Sequence, residues 1–330
     1  MGSRYPTLTR LELLFSSTRD GGATWSPTVT VTTLSDNAAI NGEAVRFADA
    51  HHGWISGQGL LTTLDGGQTW KGAGLKGFVG PAAPAGDSVW ALQTPCNDSA
   101  GSCSPVLVQS RVGSATWEPA PQQPGLPAGS ADLLRVSASE AFITDIPLQQ
   151  LADAVLLKTI NAGSTWQQLK NPCGPTTSQS LATLDGVHAW IACGYGPSAG
   201  NEGKSVFVSD DGGATWHVEA GTGVPGSGAP TPTGSLGTAG YVSRLTLLSS
   251  TTGILNQARN GLMRTTDGGK TWKDANPVGP SNNEFPGNVW FADSTHGWLT
   301  SGAGGYAYGW PGLFLTTDGG LTWSQIAASK

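Results

Sequence analysis

Short apolar runs separated by turns rich in glycine, aspartate and threonine fill this chain from end to end. No apolar stripe at helical spacing is long enough to predict a helix, so the pattern predicts many short strands. The clearest turn is Thr316-Thr317-Asp318-Gly319-Gly320-Leu321-Thr322-Trp323. It returns as Thr18–Trp25, Thr63–Trp70, Ser209–Trp216 and Thr265–Trp272. Two copies are worn: Thr159–Trp166 has Asn161 for the acid, and Ser110–Trp117 has lost the acid and one glycine. Between two apolar runs, S/T-x-D-x-G-x-T-W predicts a hairpin. The carboxylate can accept backbone N–H groups ahead of it, glycine takes the positive φ, and the hydroxyl ties the start of the turn to its end. The tryptophan then opens the next strand, with a large face to pack between neighbouring units.

A second pattern recurs. Phe47-Ala48-Asp49-Ala50-His51-His52-Gly53-Trp54-Ile55 matches Phe291-Ala292-Asp293-Ser294-Thr295-His296-Gly297-Trp298-Leu299. Looser copies are Leu184–Trp190, Val136–Phe142, Leu248–Ile254 and Gly86–Trp90. Each reads as strand, tight turn, strand, which predicts the first hairpin of a repeating unit. The turn tryptophans at 25, 70, 117, 166, 216, 272 and 323 are spaced by 45, 47, 49, 50, 56 and 51 residues, about one four-stranded unit per interval. The first turn is preceded only by Leu11-Glu12-Leu13-Leu14-Phe15, enough for one strand.

The eight-residue turn resembles the Asp-box, or BNR repeat, of sialidase-type β-propellers. The resemblance places it between the third and fourth strands of each blade, on the face away from the ligand site. The expected fold is all-β, a seven-bladed β-propeller of four-stranded antiparallel blades with an incomplete first blade; a six-bladed ring is the alternative. It forms a single domain over 1–330, with a partial blade at 1–34 and blades at about 35–74, 75–122, 123–171, 172–221, 222–277 and 278–330. Asp20, Asp65, Asn161, Asp211, Asp267 and Asp318 are then structural, because a residue present in every unit serves what all units share. A calcium-loop reading of Asp210-Asp211-Gly212 fails for want of alternating oxygen ligands and a closing glutamate. The pairing of F-x-D-x-x-H-G-W with T-T-D-G-G-x-T-W is most similar to the photosystem II assembly and stability factor propellers and to bacterial exported relatives. That likeness implies a binding or assembly platform without catalysis.

Composition changes this picture at three points. The net charge of −6, with lysines and arginines scattered singly, argues against nucleic-acid binding. No apolar run is long enough to span a membrane. Four cysteines fall in loops, with Cys96 and Cys103 around one polar segment and Cys173 and Cys193 in one repeat. They predict two disulfides and an exported, monomeric protein, secreted, periplasmic or at the cell surface. Met1-Gly2-Ser3 reads as an added start, from which a signal peptide or lipid anchor has been removed. No metal or cofactor is expected: CxxC, a dinucleotide fingerprint and a phosphate loop are all missing from the sequence. His51, His188 and His296 belong to turns of separate units.

Candidate chemistry falls at the end of the blades opposite the boxes. Insertions are expected at Thr94–Pro105, Asp145–Ala154, Gly194–Lys204 and Ser301–Gly312, with a long segment at Gly221–Gly240 leading into a first strand. Aligned first strands put Glu43, Asp132 and Arg244 at equivalent places, expected around the mouth of the channel. Arg259 occupies a short loop, and Tyr306, Tyr308 and Trp310 form an aromatic cluster on another. Charged groups beside aromatic faces suit a protein or a carbohydrate ligand. The rival reading is a sialidase-like glycoside hydrolase. It would draw its arginine triad from Arg46, Arg135, Arg244 and Arg259 and a nucleophile from Tyr241, Tyr306 or Tyr308, but the R-I-P signature is missing.

Overall fold

A computed structural model describes residues 11–34, 44–96, 103–149, 152–222, 236–276, 284–303 and 312–328. Among them there is no helix, and hence none long and apolar enough to cross a membrane. The strands form blades of a β-propeller. Strands β1 (Leu11–Phe15) and β2 (Val29–Leu34) pair as a two-stranded sheet around the first box. Next come β3 (Ala44–Phe47), β4 (Gly53–Gly57), β5 (Gly59–Thr63) and β6 (Lys71–Gly72), hydrogen-bonded in that order. In the second full blade the first strand is split into β7 (Phe78–Val79) and β8 (Ala83–Ala85). Both pair with β9 (Ser88–Thr94), which is followed by β10 (Val106–Arg111) and β11 (Glu118–Pro119). Pro81 lies at the split, where a residue without an N–H cannot extend the ladder.

The third full blade holds β12 (Gly129–Arg135), β13 (Ala141–Pro147), β14 (Val155–Thr159) and β15 (Gln167–Leu169). The fourth holds β16 (Ser178–Thr183), β17 (Ala189–Ser198), β18 (Asn201–Ser209) and β19 (His217–Gly221). The fifth holds β20 (Tyr241–Leu247), β21 (Gly253–Ala258), β22 (Gly261–Thr265) and β23 (Lys273–Asp274). The last holds β24 (Glu284–Phe291), β25 (Gly297–Ala303), β26 (Gly312–Thr316) and β27 (Ser324–Ala328). Among the described residues there are therefore six full blades and one two-stranded unit. The chain divides into two compact units, Met1–Ser139 with Ile160–Thr165, and Glu140–Thr159 with Trp166–Lys330.

The boxes join the third strand to the fourth. In the box at Thr265, the threonine hydroxyl donates to Asp267 and accepts from Gly269 N–H, while the Thr271 amide and hydroxyl both donate to Asp267. The boxes at Thr18, Thr63, Ser209 and Thr316 repeat this network. Asn161 keeps the bonds to the Thr165 amide and hydroxyl. In the most worn copy Ser114 Oγ accepts the Thr116 amide instead. The first box glycine also donates its N–H to the first hairpin of its own blade: Gly66 to His51, Gly212 to Val187, Gly268 to Thr251 and Gly319 to Thr295. The two recurring sequence patterns therefore touch.

The second box glycine, also at positive φ, receives an apolar side chain from the preceding blade. Trp190 approaches the position of a Cβ on Gly269, Ile254 that on Gly320, and Phe15 that on Gly67. Cationic staples reinforce two of the joints between blades. Lys158 Nζ donates to Gly186 O at 3.1 Å and pairs with Glu140 at 2.9 Å, and Arg264 Nε donates to Gly319 O at 2.9 Å. Trp323 departs from the common plan. Its indole N–H bonds Ala275 O, whereas Trp25, Trp70, Trp216 and Trp272 bond the second glycine of their own box.

Two expectations need correction. Gly194–Lys204 is a continuation of β17 and β18, paired to Ser198↔Asn201, because every residue of the insertion up to the two-residue turn finds a ladder partner or a bulge. The disulfides Cys96–Cys103 and Cys173–Cys193 both form, with Cα atoms 5.9 and 5.5 Å apart, but Cys193 is a fully buried β17 residue and not part of a loop. In the first full blade His51 lies in the turn as expected, and its neighbour His52 is the one bound to the turn aspartate, at 2.7 Å from Asp49. His52 is the one in register with His188 on Asp185 and His296 on Asp293.

Candidate recognition surface

At the end of the fifth blade opposite its box, three elements place side chains close together. The first is the start of β20. Tyr241 pairs with Ala258, Val242 with Gln257 and Arg244 with Asn256, so Ser243 is an extra residue in the ladder. Because Ala258 and Asn256 are two apart, this bulge returns Arg244 to the face that carries Tyr241, while Val242 and Leu245 enter the core. The second is the β21–β22 turn. Arg259 holds φ at 70°, a left-handed conformation that costs a non-glycine residue about 1–2 kcal/mol. Its guanidinium sits 5.6 Å from the Tyr241 ring centroid. Asn260 fixes the turn through both its amide and its side chain to Gln257. The third is the β17–β18 tip, where Gly200 N–H donates to the Tyr241 hydroxyl at 2.8 Å.

Under this surface lie two buried charges. Lys204 is fully enclosed and Glu202 nearly so. The ammonium donates to the carbonyls of Thr238 at 2.8 Å, Ala239 at 2.9 Å and Gly237 at 3.3 Å. The Glu202 carboxylate accepts from Ser178 Oγ and from Val242 N. Burial pushes Lys204 down to about 8, with Glu202 opposing, and raises Glu202 above its ordinary value. Sequence reading passed over this pair. Its signal was two charged residues alternating into an otherwise apolar strand, Glu202-Gly203-Lys204-Ser205-Val206-Phe207-Val208.

Arg244 and Arg259 are exposed, and neither makes a hydrogen bond or ion pair among the described residues. Asp132 is exposed on β12, in the other compact unit, with its carboxylate on the Leu133 amide. Glu43, Tyr306, Tyr308 and Trp310 lie outside the described residues. Arg135 is committed elsewhere: it lies 4.1 Å from the Trp90 ring centroid and donates to the carbonyls of Ala83, Ser88 and Ala138. Asp145 lies on β13 fully buried, with no hydrogen bond to either carboxylate oxygen, and desolvation pushes it up to about 6. Among the described residues no three His, Cys, Asp or Glu side chains are grouped to hold a metal.

Two cavities, of about 740 and 620 Å³, open beside boxes, at Asp65 with Phe15 and Phe47, and at Asp267 with Arg264 and Lys273. Both box carboxylates in their walls are already saturated by threonine and backbone donors. That leaves them little to offer a ligand, so size alone does not make these cavities the site.

The box geometry, repeated blade after blade, identifies the unit. Residues 207–218 match the BNR/Asp-box repeat. No curated protein matches the sequence. Among solved structures, the chain is similar to YCF48 bound to D1 peptide, at 19% identity and a TM-score of 0.55 over 86% of this chain and 79% of that one. It is also similar to YCF48 from Cyanidioschyzon merolae, at 19% identity and TM-score 0.54 over 85% and 83%. A polysaccharide lyase, the PL25 ulvan lyase, superposes at 9% identity and TM-score 0.57 over 99% and 92%. At such identities the likeness is one of fold.

Proposed function

We propose that this BNR-repeat propeller is a non-catalytic recognition module that binds an extended, acidic protein segment at the blade ends opposite its boxes. The observation that carries the reading is the pair of exposed arginines, Arg244 and Arg259, whose guanidinium groups make no hydrogen bond or ion pair among the described residues, set on one face with Tyr241 by a bulge and a strained turn. Guanidinium groups so exposed suit carboxylates, and an aromatic face beside them offers an apolar contact. A peptide is bound in the similar YCF48 structure, which supports a protein segment over a glycan. The two disulfides suit an oxidising environment, so we place the chain outside the cytoplasm, as a monomer.

The test is a fluorescence-anisotropy titration with an Asp/Glu-rich decapeptide and its Asn/Gln counterpart. Wild type should bind the acidic peptide at least tenfold tighter. Arg244→Ala and Arg259→Ala should each weaken it roughly tenfold, as expected for about 1–2 kcal/mol per charge-assisted contact. Equal affinity for both peptides would overturn the reading. Turnover of an aryl-glycoside panel would instead favour the glycoside-hydrolase alternative.

A further inference from the structure

Glu202 and Lys204 make no contact with solvent at the recognition surface, yet they hold it together. Lys204 Nζ is ringed by the carbonyls of Glu202, Gly237, Thr238 and Ala239 at 3.4, 3.3, 2.8 and 2.9 Å, more acceptors than the ammonium has protons. Backbone bonds clamp the same segment to the β17–β18 tip: Glu202 N to Thr238 O at 3.1 Å, and Gly240 N to Gly200 O at 2.8 Å. Asn201 forms an isolated bridge with Ala239. The next residues are the ones in use, since Tyr241 receives the Gly200 amide and lies beneath Arg259. Glu202 completes the clamp through the Val242 amide and ties it to β16 through Ser178. Gly194 leaves the space for this: a Cβ there would collide with Ser178 Oγ and the Glu202 carboxylate.

Stability alone does not explain such a pair. Enclosing two charges costs several kcal/mol per ion, and well-packed apolar residues of similar size commonly do as well or better. What apolar residues cannot do is point three successive carbonyls at a single centre and so fix the path of residues 237–241.

We propose that Glu202 and Lys204 are positioning residues, an internal latch that sets Tyr241, and through it Arg259, for ligand recognition. This rests on the reading of that face as the binding surface. Lys204 should therefore govern affinity for the acidic decapeptide without touching it.

The experiment uses the full chain and reads two quantities on each variant: amide hydrogen exchange and peptide affinity. In Lys204→Met, exchange at Gly200, Glu202 and Gly240 should accelerate at least tenfold while Leu157 and Leu255 stay protected, and peptide affinity should fall about tenfold. Arg259→Ala should lose affinity with exchange at those amides unchanged. Glu202→Gln, which keeps the shape and the acceptor for Val242, should retain most of both. In wild type, affinity should decline as pH rises through about 8, where Lys204 loses its proton, and Lys204→Met should be flat over that range. Among the described residues the charged group facing the ammonium is Glu202 on its own strand; Tyr195, paired with Gly203, lies on the opposite face of the sheet, and the Tyr241 hydroxyl on β20 is bonded to the Gly200 amide. If the Met variant were not to fold, the wild-type pH profile and the Gln variant would decide the matter. Unchanged exchange in Lys204→Met overturns the latch whatever binds. Faster exchange with undiminished affinity overturns its positioning role. A wild type that binds no acidic peptide overturns the recognition reading itself, and the exchange result still judges the latch.

Discussion

Ala162 occupies the place that glycine takes in the other six boxes, with φ at 56°, and its N–H donates to Ser139 O as those of Gly66, Gly212, Gly268 and Gly319 donate to their own first hairpins. A left-handed alanine costs about 1–2 kcal/mol. Glycine would relieve that strain while adding about 0.4–1 kcal/mol of unfolded-state entropy. Ala162→Gly should therefore stabilise the fold by roughly 0.5–1 kcal/mol, seen as a raised urea midpoint at unchanged slope; a lowered midpoint would show that the strain is offset locally. Arg259 carries similar strain at 70° but on an exposed turn, where no box hydrogen bond requires it. Strain kept where the scaffold does not need it is consistent with a role in recognition.

At the level of the box, geometry separates two glycines of the same type. Gly268 has φ at 79° with nothing within 4 Å of a Cβ, whereas Gly320 has φ at 81° with Ile254 Cδ1 at 2.7 Å. Gly268→Ala should cost only the backbone strain, about 1–2 kcal/mol. Gly320→Ala adds overpacking against the preceding blade and should cost a further ~1–3 kcal/mol. Equal losses in thermal unfolding of the two variants would mean that the joint yields more easily than its geometry implies. The hydrogen bonds of these turns were legible in the sequence, because Thr, Asp and Gly sit at fixed offsets and each offset has one local partner. The joint was legible only in outline: the tryptophan spacing implied packing between units, but Trp190, Ile254 and Phe15 meet glycines of the following blade through long-range packing. The latch was less legible still, since Lys204 meets residues 237–239 across a segment whose composition gives no register. The β17–β18 extension was misread as a loop because its Gly, Pro and Ser residues resemble turn composition, while ladder pairing with its own partner strand overrode propensity.

For the molecule as a whole, two sets of carboxylates pull the pH dependence of stability in opposite directions. Asp20, Asp65, Asp211 and Asp267 are held down to about 2, chiefly by the hydroxyls of Thr24, Thr69, Thr215 and Thr271. Their folded values lie below their unfolded ones, so their contribution is present above the ordinary aspartate value and is lost as pH falls towards 2. Asp145, raised to about 6 by burial, acts the other way. It costs nothing when protonated in both states, and the penalty grows from pH 4 to 6, reaching roughly 3 kcal/mol. His188, drawn upward by its bond to Asp185, also loses its stabilising effect as pH rises through its folded value. Stability should therefore peak at about pH 4–5. Asp145→Asn should remove the decline between pH 4 and 6 and leave the acid limb intact, measured by denaturant midpoints across that range; a wild-type maximum at pH 7 would contradict the assignment.

In four blades the first box glycine is bonded to the opening hairpin of its own sheet. Neither motif can be altered alone without stranding a donor or an acceptor in the other, so sequence drift at this end is tolerated mainly when both change together. At the far end the ties described, such as that of Gly240 to Gly200, are particular to their own blades. There the distance from hairpin aromatic to box tryptophan runs from 16 residues at Trp54 to 27 at Trp90, and novelty can accumulate where it leaves the fastening untouched.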